Sequence, residues 1–343
     1  MIVSKTPLRM SFVGGGSDLS AYYREAEGAV LSTAIDKYMY ITVNQKFDGD
    51  VRLSYSVTEN VNHVERLKHP IVRSTLELLN IKGGIEIASM ADIPSKGSGL
   101  GSSSSFTVAL LHALHAYQDK HISKYELGRL ASHVEIELCG DPIGKQDQYA
   151  ASFGGLNLIR FHSDDSVSVD PIICKPETIR MMEKSILIFY TGRTRSVSSL
   201  LSEQSKNMQS QEKRKLMGEM VKLAYDMKIL LESDNLDAMG ELLDKNWRLK
   251  CQMANGVTDS EIDDWYRKGI NAGAKGGKLL GAGNGGFMMF FAPIEKHRDI
   301  IKAMGGLREI PFSFDTNGSQ IVFYQPNTSS ITPQLTKEGG YGF

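Results

Sequence analysis

Three stretches of the chain set glycine runs beside groups that handle anions. Residues 6–19, TPLRMSFVGGGSDL, carry Gly14, Gly15 and Gly16 with Arg9 five positions before them and Asp18 just after. Consecutive glycines allow positive φ and let a ligand approach the backbone closely; an ordinary tight turn is the competing reading. Residues 93–111, IPSKGSGLGSSSSFTVALL, run from a glycine-serine loop straight into an apolar stretch. Amides at a helix start have no intrahelical acceptor, and the helix dipole is positive there. Backbone N–H groups and hydroxyls across Gly97, Ser98, Gly99, Leu100, Gly101, Ser102, Ser103 and Ser104, with Lys96 beside them, would cradle phosphate oxygens. A flexible, serine-capped loop is the alternative, but it leaves the apolar stretch behind it unexplained. The segment is not a Walker loop, since no Gly-Lys-[Ser/Thr] follows the glycines. Residues 278–291, KLLGAGNGGFMMFF, match G-x-G-x-x-G at Gly281, Gly283 and Gly286. A strand-like run follows where a dinucleotide site needs a helix, so a strand–loop–strand turn beside a ligand is expected instead.

The elements that must hold these loops come in mixed blocks, which gives an α+β class. Strands are expected at 29–43, 51–55, 85–93, 156–161, 166–173 and 185–190, and helices at 63–80, 103–118 and 123–139. The stretch 103–118 is apolar almost all round and should be buried. From 196 to 253 the pattern is helical; helices at 260–272 and 295–304 and strands at 278–280, 286–291, 311–314 and 321–325 complete the chain. The shift at 190 suggests two domains, 1–190 and 191–326, with a polar tail at 327–343. In the 123–139 helix, about 100° per residue puts Leu127, Leu130, Val134 and Leu138 on one stripe. Glu135 then points away from the other charges, onto a face with Gly128, Ala131, Ser132 and Cys139.

Composition narrows the partners. The 343 residues carry 39 basic and 40 acidic side chains, a net charge of −1, so the basic excess of a general nucleic-acid binder is absent. No apolar run has the length of a membrane span, and no signal-peptide core opens the chain; a cytosolic protein is expected, with no membrane partner. The three cysteines are far apart, which argues against a disulfide framework or a zinc site.

The three glycine segments, in this order, resemble the signature motifs of the GHMP small-molecule kinases over residues 5 to 292. RMSFVGGGSDLSAYY, AIDKYMYITV and GKQDQYAASFGGLN are most similar to the sugar-1-kinase branch, to its heptose 7-phosphate kinases above all and then to the kinase domain of fucokinases. Galactokinases carry Gly-Glu-His-Thr-Asp where this chain has Gly14-Gly15-Gly16-Ser17-Asp18. The resemblance implies a GHMP kinase fold, with an N-terminal domain like the second domain of ribosomal protein S5 and a C-terminal ferredoxin-like domain.

It also implies roles. Asp147, in CGDPIGKQDQYAASFGG, would be the catalytic carboxylate that takes the sugar hydroxyl's proton. Arg9 would pair with it and offset charge on the moving phosphoryl group. Glu135 and Ser103 would be the magnesium ligands, the four serines 102–105 leaving that register open by one; a buried ion pair competes for Glu135. Asp18 would hold sugar hydroxyls, with Gly15 and Gly16 making room and Gly283 bordering the substrate. Arg193 and Arg195, with Lys37 and Lys145 as further candidates, would hold a substrate phosphate, a solvated turn being the competing reading for the arginines. The function so implied is ATP- and magnesium-dependent phosphorylation of the anomeric hydroxyl of D-glycero-D-manno-heptose 7-phosphate to the 1,7-bisphosphate, for nucleotide-heptose and surface polysaccharide synthesis, by a monomer or homodimer. An unphosphorylated-sugar kinase such as a fucokinase is the alternative, and a sugar sensor without chemistry is the alternative of another class.

Overall fold

A computed structural model describes residues 1–93, 99–193 and 197–325. Its larger sheet is built on two long strands, β1 (Ile2–Val13) and β2 (Gly28–Gln45), with β3 (Val51–Ser54), β4 (Thr58–Val61), β5 (Ile85–Ala91), β6 (Leu156–Phe161) and β7 (Val167–Pro171). One end of β2 pairs with β5 and the other with β6, so a single strand spans both halves of the sheet. The pairings are antiparallel except β3 with β5.

Around this sheet lie α1 (Ser20–Tyr23), α2 (Pro70–Leu78), α3 (Ser102–Tyr117), α4 (Lys124–Ser132) and α5 (Gln146–Phe153). The expected helix at 63–80 is two pieces, a 3₁₀ turn at Val64–Arg66 and then α2. Pro70 opens α2 because its ring suits a first helical turn and blocks the helix behind it. Buried α3 packs on β1 and β2, and Phe106, Val108, Ala109, Leu110, Leu111 and Leu114 join the core it shares with the sheet.

The second unit has a smaller antiparallel sheet of β8 (Ile186–Tyr190), β9 (Gly276–Leu279), β10 (Phe287–Phe291) and β11 (Arg308–Glu309), in the order β11-β8-β10-β9. Its helices are α6 (Pro176–Lys184), α7 (Val197–Asn207), α8 (Gln211–Glu232), α9 (Met239–Cys251), α10 (Ser260–Asn271) and α11 (His297–Ala303). The chain then returns to the larger sheet through β12 (Phe314–Asp315), on β2, and β13 (Gln320–Tyr324), on β1. Residue 190 ends β8, whose apolar residues Leu187 and Phe189 belong to the second unit's core, and β12 and β13 belong to the first unit. The tail 327–343 lies outside the described residues. Among those residues no helix is long and apolar enough to cross a membrane.

Candidate active site

The site forms where the ends of β1, α3 and α5 meet the second unit. Arg9, on β1, is pinned from both sides. Its amide donates to Leu100 O at 3.0 Å and its Nη1 to Gly99 O at 2.7 Å. Its Nε and Nη2 donate to Asp147 Oδ1 and Oδ2 at 2.7 and 2.8 Å, a two-pronged pair. The Arg9 side chain is 6% exposed and that of Asp147 23%, so the carboxylate alone reaches outward. Gly101 caps α3 in the left-handed region at φ +73, where a Cβ would lie 3.1 Å from Arg9 Cγ and 3.3 Å from Asp147 Oδ2. A side chain there would press on the ion pair, so glycine is needed for space as well as conformation.

Glu135 lies fully buried within a wide π turn, His133–Leu138, that continues α4. The turn defeats the 100° arithmetic from that point on. Leu138, expected on the apolar stripe, is exposed, whereas Glu135 is buried along with Gly128, Ala131 and Ser132, the residues it was expected to share a face with. Ser103 Oγ donates to Glu135 Oε1 at 2.8 Å and Gln148 Nε2 to Oε2 at 2.6 Å, with the Ser104 hydroxyl a further donor. Ser105 faces elsewhere, donating to Pro7 O at 2.9 Å. Among the described residues no cation pairs with Glu135. Burial, and then the nearby charge of Asp147, push its carboxyl up to about 7 against the pull of these donors. A buried carboxylate that accepts hydroxyls and lacks a protein cation suits an incoming metal ion, and Ser103 and Glu135 are the side chains here that fit one.

Asp18 is buried, and burial, then the charge of Asp147, raise its carboxyl. Its Oδ1 accepts from Gly16 N and Gln146 Nε2, both at 3.0 Å, and its Oδ2 from Gln146 N at 3.2 Å. It therefore clasps the first glycine loop to the start of α5, one residue from Asp147. Gly15 faces Ser11 Oγ and the Gln146 amide, whereas Gly16 faces Met217 and Gln204.

The other expected substrate residues are not gathered here. The Arg193 guanidinium is held by carboxylates of this chain. Nη2 and Nη1 reach Asp259 at 2.5 and 3.2 Å, and Nη1 reaches Glu261 at 3.0 Å. Asp259 is the N-cap of α10, so the sequence carried a signal for an acid there but none for its partner. Lys37 Nζ bonds its neighbour Asp36 at 2.8 Å. Lys145 Nζ bonds Asp165 Oδ1 at 3.2 Å and lies over the Tyr23 ring. Gly283 packs against Val257 and Leu200. Lys96, Gly97, Ser98 and Arg195 lie outside the described residues.

Sequence reasoning missed a second layer. Gln146 and Gln148 flank Asp147 and orient Asp18 and Glu135, and the Gln-Asp-Gln spelling was the available signal. The second unit adds Asn246, which accepts from Gly14 N at 3.1 Å, and Lys250, which donates to Gly281 O. It also adds Lys278, which donates to Ser11 O and Phe12 O at 2.9 and 3.0 Å. Nothing in their local sequence marked these.

Comparison with known proteins places the chain in a family. Residues 62–155 match the GHMP kinases N terminal domain and 227–305 the GHMP kinases C terminal domain. A D-glycero-alpha-D-manno-heptose 7-phosphate kinase from Campylobacter jejuni is 30% identical over 315 residues, 88% of this chain and 93% of that protein. A galactokinase from Pyrococcus furiosus is 25% identical over 94% of this chain and 97% of its own length. The crystal structure of a D-glycero-D-manno-heptose 1-phosphate kinase from Bacteriodes thetaiotaomicron superimposes with a TM-score of 0.76 at 25% identity, covering 93% of this chain and 98% of that one. Both domain signatures, the shared fold and a relative aligned nearly end to end agree: the chain belongs to the GHMP kinase family, and it is an ATP-dependent kinase.

Proposed function

We propose that this enzyme is a sugar-1-kinase that transfers the γ-phosphoryl group of ATP to the anomeric hydroxyl of D-glycero-D-manno-heptose 7-phosphate. The observation that carries the reading is the Arg9–Asp147 pair, wedged between the start of α3 and the clasped Asp18 loop. ATP phosphates would lie on the amides that open α3, with the sugar on the Asp147 side. The sugar oxygen forms the new P–O bond as the bridging bond to the γ-phosphorus breaks and ADP leaves. The hydroxyl proton passes to a carboxylate oxygen of Asp147. Arg9 holds that carboxylate by both oxygens, so its orientation is fixed before the sugar arrives, and its charge faces the group in flight. Ser103 and Glu135 would hold a magnesium ion, which when bound neutralises charge on the phosphates. The heptose assignment rests on likeness to the Campylobacter jejuni enzyme.

One observation favours the second reading, a kinase for an unphosphorylated sugar such as fucose. Arg193, Lys37 and Lys145 are each engaged by carboxylates of this chain, so none of these three expected phosphate-holding side chains is free for a sugar phosphate. A coupled ADP-release screen over heptose 7-phosphate, heptose and fucose separates the two. Preference for the phosphorylated heptose upholds the first reading, and equal or better turnover of an unphosphorylated sugar overturns it.

A further inference from the structure

Lys250 is a buried ammonium in an unusual place. It sits in the last turn of α9, and its Nζ donates to the carbonyl of Gly281 in the third glycine loop. That loop touches the second one: a Cβ on Gly281 would fall 2.4 Å from Gly99 Cα. Gly99 in turn accepts from Arg9. Arg9 from the first unit and Lys250 from the second thus each hold one partner of a single loop contact. Asn246, one turn earlier on the same helix, grips Gly14 of the first loop, and its Nδ2 is buried with no partner among the described residues. One face of α9 therefore addresses all three loops, the first and third directly and the second through Gly281, and keeps polar donors in reserve.

The charge on Lys250 is not neutralised locally. An ammonium has three donors, and Gly281 O takes one. Among the described residues no carboxylate lies within ion-pair distance of it. Burying such a charge is costly unless something compensates it. The charged and titratable groups around it are Arg9 on β1, Asp18 after β1, Asp147 on α5, Cys251 on α9 itself and Lys278 on β9. Burial, then repulsion from Arg9, lowers the amine to about 8. An anion at this point would restore the charged form.

We propose that Lys250 is the second unit's cation for the triphosphate: it positions the third glycine loop against the second and supplies positive charge where the nucleotide's phosphates bind. This rests on the nucleotide lying at the second loop, as proposed above, and not on the identity of the sugar.

The test is binding of a non-hydrolysable ATP analogue with magnesium, measured by calorimetry from about pH 7 to about pH 9.5, a window that spans deprotonation of a lowered lysine. Wild-type affinity should weaken about tenfold across it, the scale of one charge-assisted contact. Lys250→Met should bind about tenfold more weakly at pH 7 and show no such fall, whereas Lys250→Arg, which stays charged, should hold its affinity to the top of the range. Thermal unfolding of each variant is recorded alongside. A folded Lys250→Met with wild-type affinity, or with the wild-type pH response, overturns the proposal. If neither variant folds, the wild-type profile decides by itself: a flat one overturns the proposal and a fall upholds it. Because the readout is nucleotide binding, failure of the sugar screen would leave this inference standing, and a flat profile would leave the sugar assignment untouched.

Discussion

Of the three carboxylates at this site, Asp147 and Glu135 are treated by the protein in opposite ways. Asp147 is met by an arginine through both oxygens. Glu135, deeper, is given hydroxyl and amide donors and no cation. The first is complete as folded: its charge is balanced and its direction set. The second is held in shape but left electrostatically unfinished. A protein gains nothing in stability from a buried, uncompensated carboxylate, so the contrast separates a residue that works on the substrate from one that waits for a cation.

The strongest way to break this contrast is at Asp147. Asp147→Asn should lower turnover by about 10²–10⁴ if the carboxylate receives the hydroxyl proton, with ATP affinity little changed in a binding titration. Part of any loss could come from setting an amide NH₂ against the Arg9 fork, so the unfolding midpoint is measured as well. A near-normal rate would leave Asp147 a positioning role. Arg9→Lys is next, with turnover expected to fall about 10- to 100-fold. A lysine keeps the charge but cannot span both oxygens or reach Gly99 O with a second arm. Equal rates for Arg9→Lys and wild type would show that the fork geometry is irrelevant.

Glu135 tests the other half. In the folded protein its carboxyl is raised from 4.5 to about 7. The folded state then binds the proton more tightly than the unfolded chain. Its favourable contribution is complete below about pH 4.5 and is lost as the pH rises through 7. Glu135→Gln removes that penalty, because an amide cannot ionise, and Gln148, whose Oε1 has no partner, can turn to accept from it. In metal-free buffer at about pH 8 the variant should be more stable than wild type by up to about 3 kcal/mol, and near pH 4.5 by almost nothing. The same variant should need more magnesium for half-maximal turnover. Denaturant melts at the two pH values and a magnesium titration check both. A variant less stable than wild type at pH 8 would return Glu135 to an ordinary structural role.

Residue type and spacing carried the glycine loops, the buried α3 and most strands, because these are periodic or compositional features. The arithmetic failed where the backbone left its regular period. The π turn at 133–138 exposed Leu138, which the regular period had placed on the apolar stripe. Pairing is non-local: nothing within 314–324 announces that these residues return to β1 and β2. Asn246, Lys250 and Lys278 were invisible for the same reason, being ordinary polar residues in helix and strand patterns until the second unit packs on the first.

Arg193 sharpens the comparison from the other side, with the smallest expected effect. Like Arg9 it is an arginine held by carboxylates, but its partners Asp259 and Glu261 belong to the start of α10 rather than to the site. It braces that helix to the third glycine loop, since its own carbonyl accepts from Gly286 N at 2.9 Å. Arg193→Met should therefore leave the KM for a sugar phosphate within about twofold of wild type. It should cost about 1 kcal/mol of stability, the scale of a part-exposed ion pair with good geometry. Paired KM and urea-unfolding measurements decide. A KM raised tenfold for the phosphorylated sugar, but unchanged for its unphosphorylated counterpart, would mean that the guanidinium leaves Asp259 for the substrate. Arg193 and Arg9 would then both be substrate arginines, and the place of the partner carboxylate would no longer tell the two apart.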